Sequence, residues 1–203
     1  MRLVYFDFPG RGEAIRDAFR IGAIPFEDER VSMEEFRARR ARGDLPFGAL
    51  PVLVLDHGVV VSQSNTILRY VGKLAGLFPE DPLLSLRVES VLDSAEDYGG
   101  RLSVSIRVTD EVVRAALRTE LRERWLPDWF GALERLLSES GYLAGPELTI
   151  ADLKVVHSID KLTNGSLSGI PREIAEPFRR LCDWRIRVHE ARAAALGSNP
   201  VSH

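Results

Sequence analysis

The apolar positions of the first third of the chain follow two periods in turn. Leu3, Val4, Tyr5 and Phe6 form an unbroken apolar run, predicting a strand over residues 2–6. Ala14, Ile15, Ala18, Phe19 and Gly22 then recur at helical spacing and predict a helix with one core face. Phe26–Val31 reads as a weaker strand, because it carries Glu27, Asp28, Glu29 and Arg30. Ser32 and Glu35 stand at capping-box spacing before a short basic helix that ends near Gly43. Val52–Leu55 and Val59–Val61 flank Asp56-His57-Gly58, a hairpin signal. Ser64 is then placed to cap a helix whose Ile67, Tyr70, Val71 and Leu74 fall at i, i+3, i+4 and i+7.

Between Gly76 and Pro82 the period disappears and two prolines mark a linker. No further strand is predicted. Leu84, Val88, Val91, Leu92 and Ala95 begin a long helix, with Gly99-Gly100 as an expected bend. Val112–Leu137 is a second long helical pattern, broken or kinked at Pro127. Thr149 and Asp152 form a cap before Leu153, Val156 and Ile159. Pro171 and Pro177 suit first helical turns, Phe178, Leu181, Cys182 and Val188 line a last helix, and Gly197–His203 reads as frayed. The expected organisation is an α/β domain over residues 1–76, a linker over 77–83 and an all-helical domain over 84–203.

Composition narrows the function. The 203 residues are 45% hydrophobic and 28% charged with a net charge of −3. Acidic and basic residues are mixed throughout, so there is no basic footprint for nucleic acid or an anionic membrane. The longest apolar runs are too short to span a bilayer, and Asp7 interrupts any signal-peptide core, so a cytoplasmic protein is expected. One cysteine, Cys182, excludes an internal disulfide and reads as core. His57, His157, His189 and His203 lack metal-ligand spacing, and Gly10-x-Gly12 lacks the third glycine of a dinucleotide fingerprint.

The stretch with most chemical content is the first turn. Tyr5 ends a strand, and Asp7-Phe8-Pro9-Gly10-Arg11-Gly12 leads into the helix that Glu13 opens, which is where open α/β sheets place chemistry. No cysteine, serine or threonine lies between Tyr5 and Glu13, so Tyr5 is the only hydroxyl or thiol there. The alternative is a strand aromatic that packs in the core.

Tyr5-Phe6 with Gly10-Arg11-Gly12-Glu13, then Leu45-Pro46-Phe47-Gly48-x-Leu50-Pro51, then Gln63-Ser64-x-x-Ile67-x-Arg69-Tyr70, resembles a cytosolic glutathione transferase, most closely the sigma-like, tyrosine-type class. Asp97 and the Thr149–Asp152 cap extend the resemblance over nearly the whole chain. It implies a thioredoxin-like domain followed by a helical domain, a homodimer, and conjugation of glutathione, without a metal, to a hydrophobic electrophile. Tyr5 would stabilise the thiolate, with Arg11 bracing Tyr5 and its loop unless it is only a solvated arginine.

The resemblance also implies a cis bond at Leu50-Pro51, which exposes the Leu50 backbone to the cysteinyl amide; a trans turn is the alternative. Gln63 and Ser64 would take the γ-glutamyl carboxylate, and Ser64 can cap its helix at the same time. Phe36 and Arg40 stand where sigma-like enzymes carry a tryptophan and a lysine near the glycyl end. Phe36 lacks the indole donor and Arg40 keeps the charge. Ala49 departs from the usual lysine or glutamine, which predicts weaker affinity for glutathione. Asp97, beside Glu96, would reach across the dimer to the glutathione ammonium, or else is a solvated helix acid. The electrophile would meet Phe8, Tyr98, Arg101, Val104 and Ser105. A glutathione-dependent isomerase or peroxidase would share the thiolate. A non-catalytic binding or structural protein of the same fold would lack the tyrosine or block the pocket.

Overall fold

Strand β1 (Arg2–Phe6) lies inside a four-stranded sheet of order β2-β1-β3-β4. The computed structural model describes residues 1–137 and 141–198. Strand β2 (Glu27–Val31) pairs parallel to β1, with Tyr5 opposite Arg30. Its charged sequence suits an edge position, where side-chain charge discourages further pairing. These charges are also used: Glu29 takes ion pairs from Arg2 at 2.6 Å and from Arg39, and Asp28 pairs with Arg16 at 3.0 Å. Strands β3 (Val52–Val54) and β4 (Val60–Ser62) form the expected antiparallel hairpin, and β3 also runs antiparallel to β1.

Helix α1 (Glu13–Ile21) follows the first turn. The sequence predicts one core face, but Ala14 through Phe19 are all buried, Arg16 and Asp17 among them. A charged pair inside requires partners. Arg16 is held by Asp28 and Glu13, and Asp17 by Arg192 at 2.7 Å. Helix α2 (Met33–Arg42) has both halves of the Ser32–Glu35 capping box and ends on Gly43 in a left-handed conformation. Helix α3 (Ser64–Leu74) packs on α1, but its buried stripe differs from the predicted one. Ile67, Leu68 and Val71 are buried, whereas Tyr70 and Leu74 are 43% and 52% exposed. Leu68 therefore takes the core position assigned to Tyr70.

The chain divides into two compact units: Met1–Pro79 with the end of the last helix from Arg192, and Glu80–Ala191. In the second, α4 (Pro82–Arg107) begins two residues before the first predicted apolar position, because Asp81 accepts the Leu83 and Leu84 amides and Pro82 supplies the first turn. It runs as one helix through Gly99-Gly100. The long Val112–Leu137 pattern becomes α5 (Glu111–Glu120) and α6 (Leu126–Leu136), joined by one π-helical turn at Leu121–Trp125. There the Leu126 amide bonds to the Leu121 carbonyl, and Pro127 follows at the start of α6. Proline cannot donate an amide, so the break falls where the sequence places it.

Helix α7 (Ile150–Thr163) starts on the Thr149–Asp152 box. Asp152 does more than cap. Its buried carboxylate accepts the Thr149 amide and hydroxyl, the Leu143 amide and the Trp184 indole N–H, at 2.9 to 3.0 Å. Trp184, fully buried on α8 (Arg179–Ser198), is a core residue absent from the predicted face. Cys182 on that helix is only partly buried, with Sγ donating to the Ala175 carbonyl at 3.3 Å, so it is not a core residue. The predicted fraying over 197–203 falls largely outside the described residues, and α8 continues to Ser198.

Candidate active site

The first unit builds its site around Tyr5. The side chain is 5% exposed, and its Oη accepts the backbone N–H of Arg11 at 3.0 Å. An oxygen that accepts an amide keeps its own proton to donate elsewhere. Burial pushes the Tyr5 phenol above the ordinary tyrosine range, while the Arg11 amide and the charges of Arg11 and Arg16 pull it back. It is therefore a neutral donor near pH 7, not a phenolate. Arg11 meets Tyr5 through its main-chain N–H.

The two glycines of the turn are explained by the ring. A Cβ at Gly12 would lie 2.5 Å from Tyr5 Cδ1, and one at Gly10 would lie 2.8 Å from Tyr5 Oη. Gly10 also has φ +65°, which L side chains rarely adopt. The phenol thus occupies space that only these glycines leave open. Phe6 and Phe8 meet the Tyr5 ring edge-on at 5.4 and 5.7 Å, and Phe36 meets Phe6 at 5.3 Å. Phe36 is partly buried against the cluster of Val4, Val31, Leu45 and Val52, which accounts for its aromatic character without a ligand.

Arg16 was invisible to hydrophobic periodicity. Its guanidinium is fully buried and donates to the Phe6 carbonyl at 3.1 Å and the Phe8 carbonyl at 3.3 Å. It also binds Asp28 and Glu13, each at 3.0 Å, and lies 5.6 Å from the Tyr5 ring centroid.

Two further segments of this unit flank the sheet. Leu50-Pro51 is cis and leads directly into β3, as the resemblance implies. The exposed Arg40 side chain passes beside Gly48 in the preceding loop, and Ala49 is exposed. At the start of α3 the N-cap residue is Gln63, not Ser64. Ser64 is the first helical residue and is buried, so its predicted capping role passes to a residue that makes no side-chain cap. Gln63 has φ 76° and ψ 114°, a costly conformation for a residue with a side chain and one that collects at functional sites.

In the second unit, Glu96 and Asp97 separate. Glu96 bonds Lys154 at 2.6 Å, whereas Asp97 is exposed and has no ion pair among the described residues. The predicted electrophile residues also divide. Phe8 of the first unit and Val104 are 51% and 53% exposed, and Arg101 lies 3.5 Å over the Trp125 ring. Tyr98 and Ser105 do not present a surface within their unit. Tyr98 is 6% exposed and stacks on Trp129 at 4.5 Å, while Ser105 is fully buried and returns its hydroxyl to the Leu102 carbonyl. Helical spacing put both on one stretch with Arg101 and Val104 but did not tell the inward face from the outward one.

The N-terminal domain family of glutathione S-transferases matches residues 1–73, and the C-terminal domain family matches residues 97–193. The chain belongs to the glutathione S-transferase family. Glutathione S-transferase 2 of Caenorhabditis elegans is 34% identical over 80% of this chain and 88% of its own. Among solved structures, prostaglandin synthase D of Nilaparvata lugens superposes with a TM-score of 0.85 at 27% identity, covering 99% of this chain and 98% of that one. A monomeric glutathione S-transferase of the hookworm Necator americanus superposes at 0.80 and 27% identity, over 99% and 98% of the two chains. The sheet and the helical unit are those of a glutathione transferase fold. None of the described helices is long and apolar enough to cross a membrane, and no cluster of three metal-ligating side chains occurs among the described residues.

Proposed function

We propose that this glutathione transferase activates its co-substrate by a hydrogen bond from the Tyr5 hydroxyl to the glutathione sulfur, and that the resulting thiolate attacks a hydrophobic electrophile. The observation that carries this reading is the state of Tyr5. It is a buried, protonated phenol whose oxygen is already fixed by the Arg11 amide, leaving one proton to give. A free thiol has a pKa of about 8.5, so little of it is thiolate at neutral pH. A hydrogen bond to a charged acceptor contributes about 1.5–3 kcal/mol, enough to lower the thiol pKa by roughly one to two units. The nucleophile is then abundant where the free tripeptide would be mostly protonated.

The remaining contacts follow from the same reading. Gln63 and Ser64 receive the γ-glutamyl carboxylate at the N-terminus of α3, a reading supported by the strained Gln63 backbone and the absence of a side-chain cap there. The Leu50 backbone beside Pro51 pairs with the cysteinyl amide, and Arg40 with Phe36 serves the glycyl end. Asp97, uncommitted where Glu96 is not, completes the site of a second copy in a homodimer. Arg101 and Val104, on α4, receive the electrophile, and the protein works in the cytoplasm. The likeness to the prostaglandin synthase D of Nilaparvata lugens favours one second reading, isomerisation through the same thiolate. Conjugation consumes glutathione one for one with product, and isomerisation returns it.

The deciding variant is Tyr5→Phe. Its glutathione affinity stays within a few-fold, while kcat for conjugation of 1-chloro-2,4-dinitrobenzene falls about ten-fold or more at neutral pH. The gap closes at alkaline pH, where the thiol ionises unaided. An unchanged rate together with an unchanged titration of the bound thiol removes Tyr5 from the mechanism.

A further inference from the structure

Arg16 makes no approach to solvent, and its donors go to groups around the turn that holds Tyr5. Two of its bonds go to the carbonyls of Phe6 and Phe8, one on each side of Asp7. Phe6 is the residue after Tyr5 at the strand end, and Phe8 starts the path to Arg11. The guanidinium therefore bridges the two segments whose separation sets the bond from the Arg11 amide to the Tyr5 oxygen. Its planar fork suits two divergent carbonyls as an ammonium does not.

The cation is itself held from two sides. Asp28 reaches it from β2 and Glu13 from its own helix, each at 3.0 Å. Both carboxylates are shared, Glu13 with Arg20 at 3.4 Å and Asp28 with Arg30 at 2.7 Å. Arg11, on the turn, is the other cation acting on the phenol. Neither carboxylate cancels Arg16 outright, and its positive charge remains close to the ring.

We propose that Arg16 is a positioning residue for the transferase reaction: it fixes the turn so that the Arg11 amide meets the Tyr5 oxygen, and lends positive charge to the phenol. This rests on the reading of Tyr5 as the thiol activator. A phenol made more acidic by a nearby cation is a stronger donor to a thiolate.

The test is Arg16→Lys, which keeps a charge and loses the fork. Secondary structure by circular dichroism and the KM for glutathione, within about three-fold, should be retained. Conjugation of 1-chloro-2,4-dinitrobenzene should show kcat reduced about ten-fold at pH 6.5 and less than about two-fold at pH 9, the signature of a thiol pKa raised by about one unit. The Tyr5 phenol, read as the difference in tyrosinate absorbance against the same protein carrying Tyr5→Phe, should titrate at higher pH. A fall in kcat by the same factor at every pH, or an unmoved profile and phenol titration in a folded protein, overturns the proposal. Should Arg16→Lys not fold, Asp28→Asn replaces it. Removing that carboxylate exposes more of the Arg16 charge to the ring, so the profile moves to lower pH, and no shift or the opposite shift overturns the proposal. Failure of the underlying reading looks different: Tyr5→Phe then keeps full kcat, while the phenol titration still reports Arg16.

Discussion

Replacing Gly12 by alanine tests the packing of the site without touching a functional group. Gly12 has φ −82° and ψ −24°, which alanine adopts freely, so the backbone carries no penalty. On backbone grounds alone the substitution should stabilise the protein by about 0.4–1 kcal/mol through the unfolded chain. The added methyl, however, would stand 2.5 Å from Cδ1 and 2.8 Å from Cγ of Tyr5. Carbon atoms rest at about 3.5–4.0 Å, so the ring must retreat by about 1 Å. These are atoms at the root of the ring, which cannot swing away, and the ring is 5% exposed with Phe6 and Phe8 against it. Overpacking of this kind costs about 1–3 kcal/mol, outweighing the backbone gain. The same retreat stretches the 3.0 Å bond from the Arg11 amide beyond hydrogen-bond range and shifts the phenol relative to bound sulfur. Gly12→Ala should therefore lower the urea midpoint and reduce kcat at pH 6.5 by about ten-fold or more, approaching Tyr5→Phe. Gly100→Ala is the control, because nothing lies within 4 Å of its added methyl and it sits inside α4. It should stabilise by about 0.5–1 kcal/mol and leave kcat alone. A Gly12→Ala protein as stable and as active as the parent would refute the proposed fit of ring and turn.

Three further outcomes follow. The Tyr98 hydroxyl is buried and finds no hydrogen-bond partner among the described residues, so Tyr98→Phe should raise stability by about 1 kcal/mol, measured by chemical denaturation, and leave conjugation kinetics unchanged. Burial raises the pKa of both Tyr5 and Tyr98 above the ordinary value. The native state then holds protons that the unfolded chain loses above pH 10, so stability should fall with rising alkalinity and fall less steeply in Tyr98→Phe. Arg192→Leu removes the 2.7 Å partner of Asp17, 1% exposed, and leaves Arg20 at 4.0 Å; a loss of up to about 3 kcal/mol in urea unfolding is expected, and little change would mean that Arg20 and the other contacts satisfy the carboxylate.

What could be read from the sequence was the local part of the fold. Strand β1, the Ser32 and Thr149 capping boxes, the Asp56–Gly58 hairpin and the break near Pro127 depend on neighbours within a few residues, and spacing reports such neighbours. Tyr5 was singled out for a local reason too, as the one hydroxyl of its turn. The misses involve contacts between distant segments. Arg16 and Asp17 looked like the polar side of α1 because their partners, Asp28 and Arg192, lie in other elements. Asp152 read as a simple cap because nothing near it announces Trp184. Tyr70 and Leu74 fitted the helical stripe of α3 although Leu68 filled the core, since period fixes a face only to within a residue. Ser64 was assigned one position early in its helix for a related reason: a glutamine in a left-handed conformation is not a capping signal that sequence offers.

The ion pair between Asp17 and Arg192 joins segments far apart in the sequence inside one unit. A ribosome releases Asp17 long before Arg192. Until Arg192 emerges the first helix must therefore either wait unburied or hide an anion whose nearest counterion in the helix is Arg20 at 4.0 Å, and the first unit closes fully around Asp17 only afterwards.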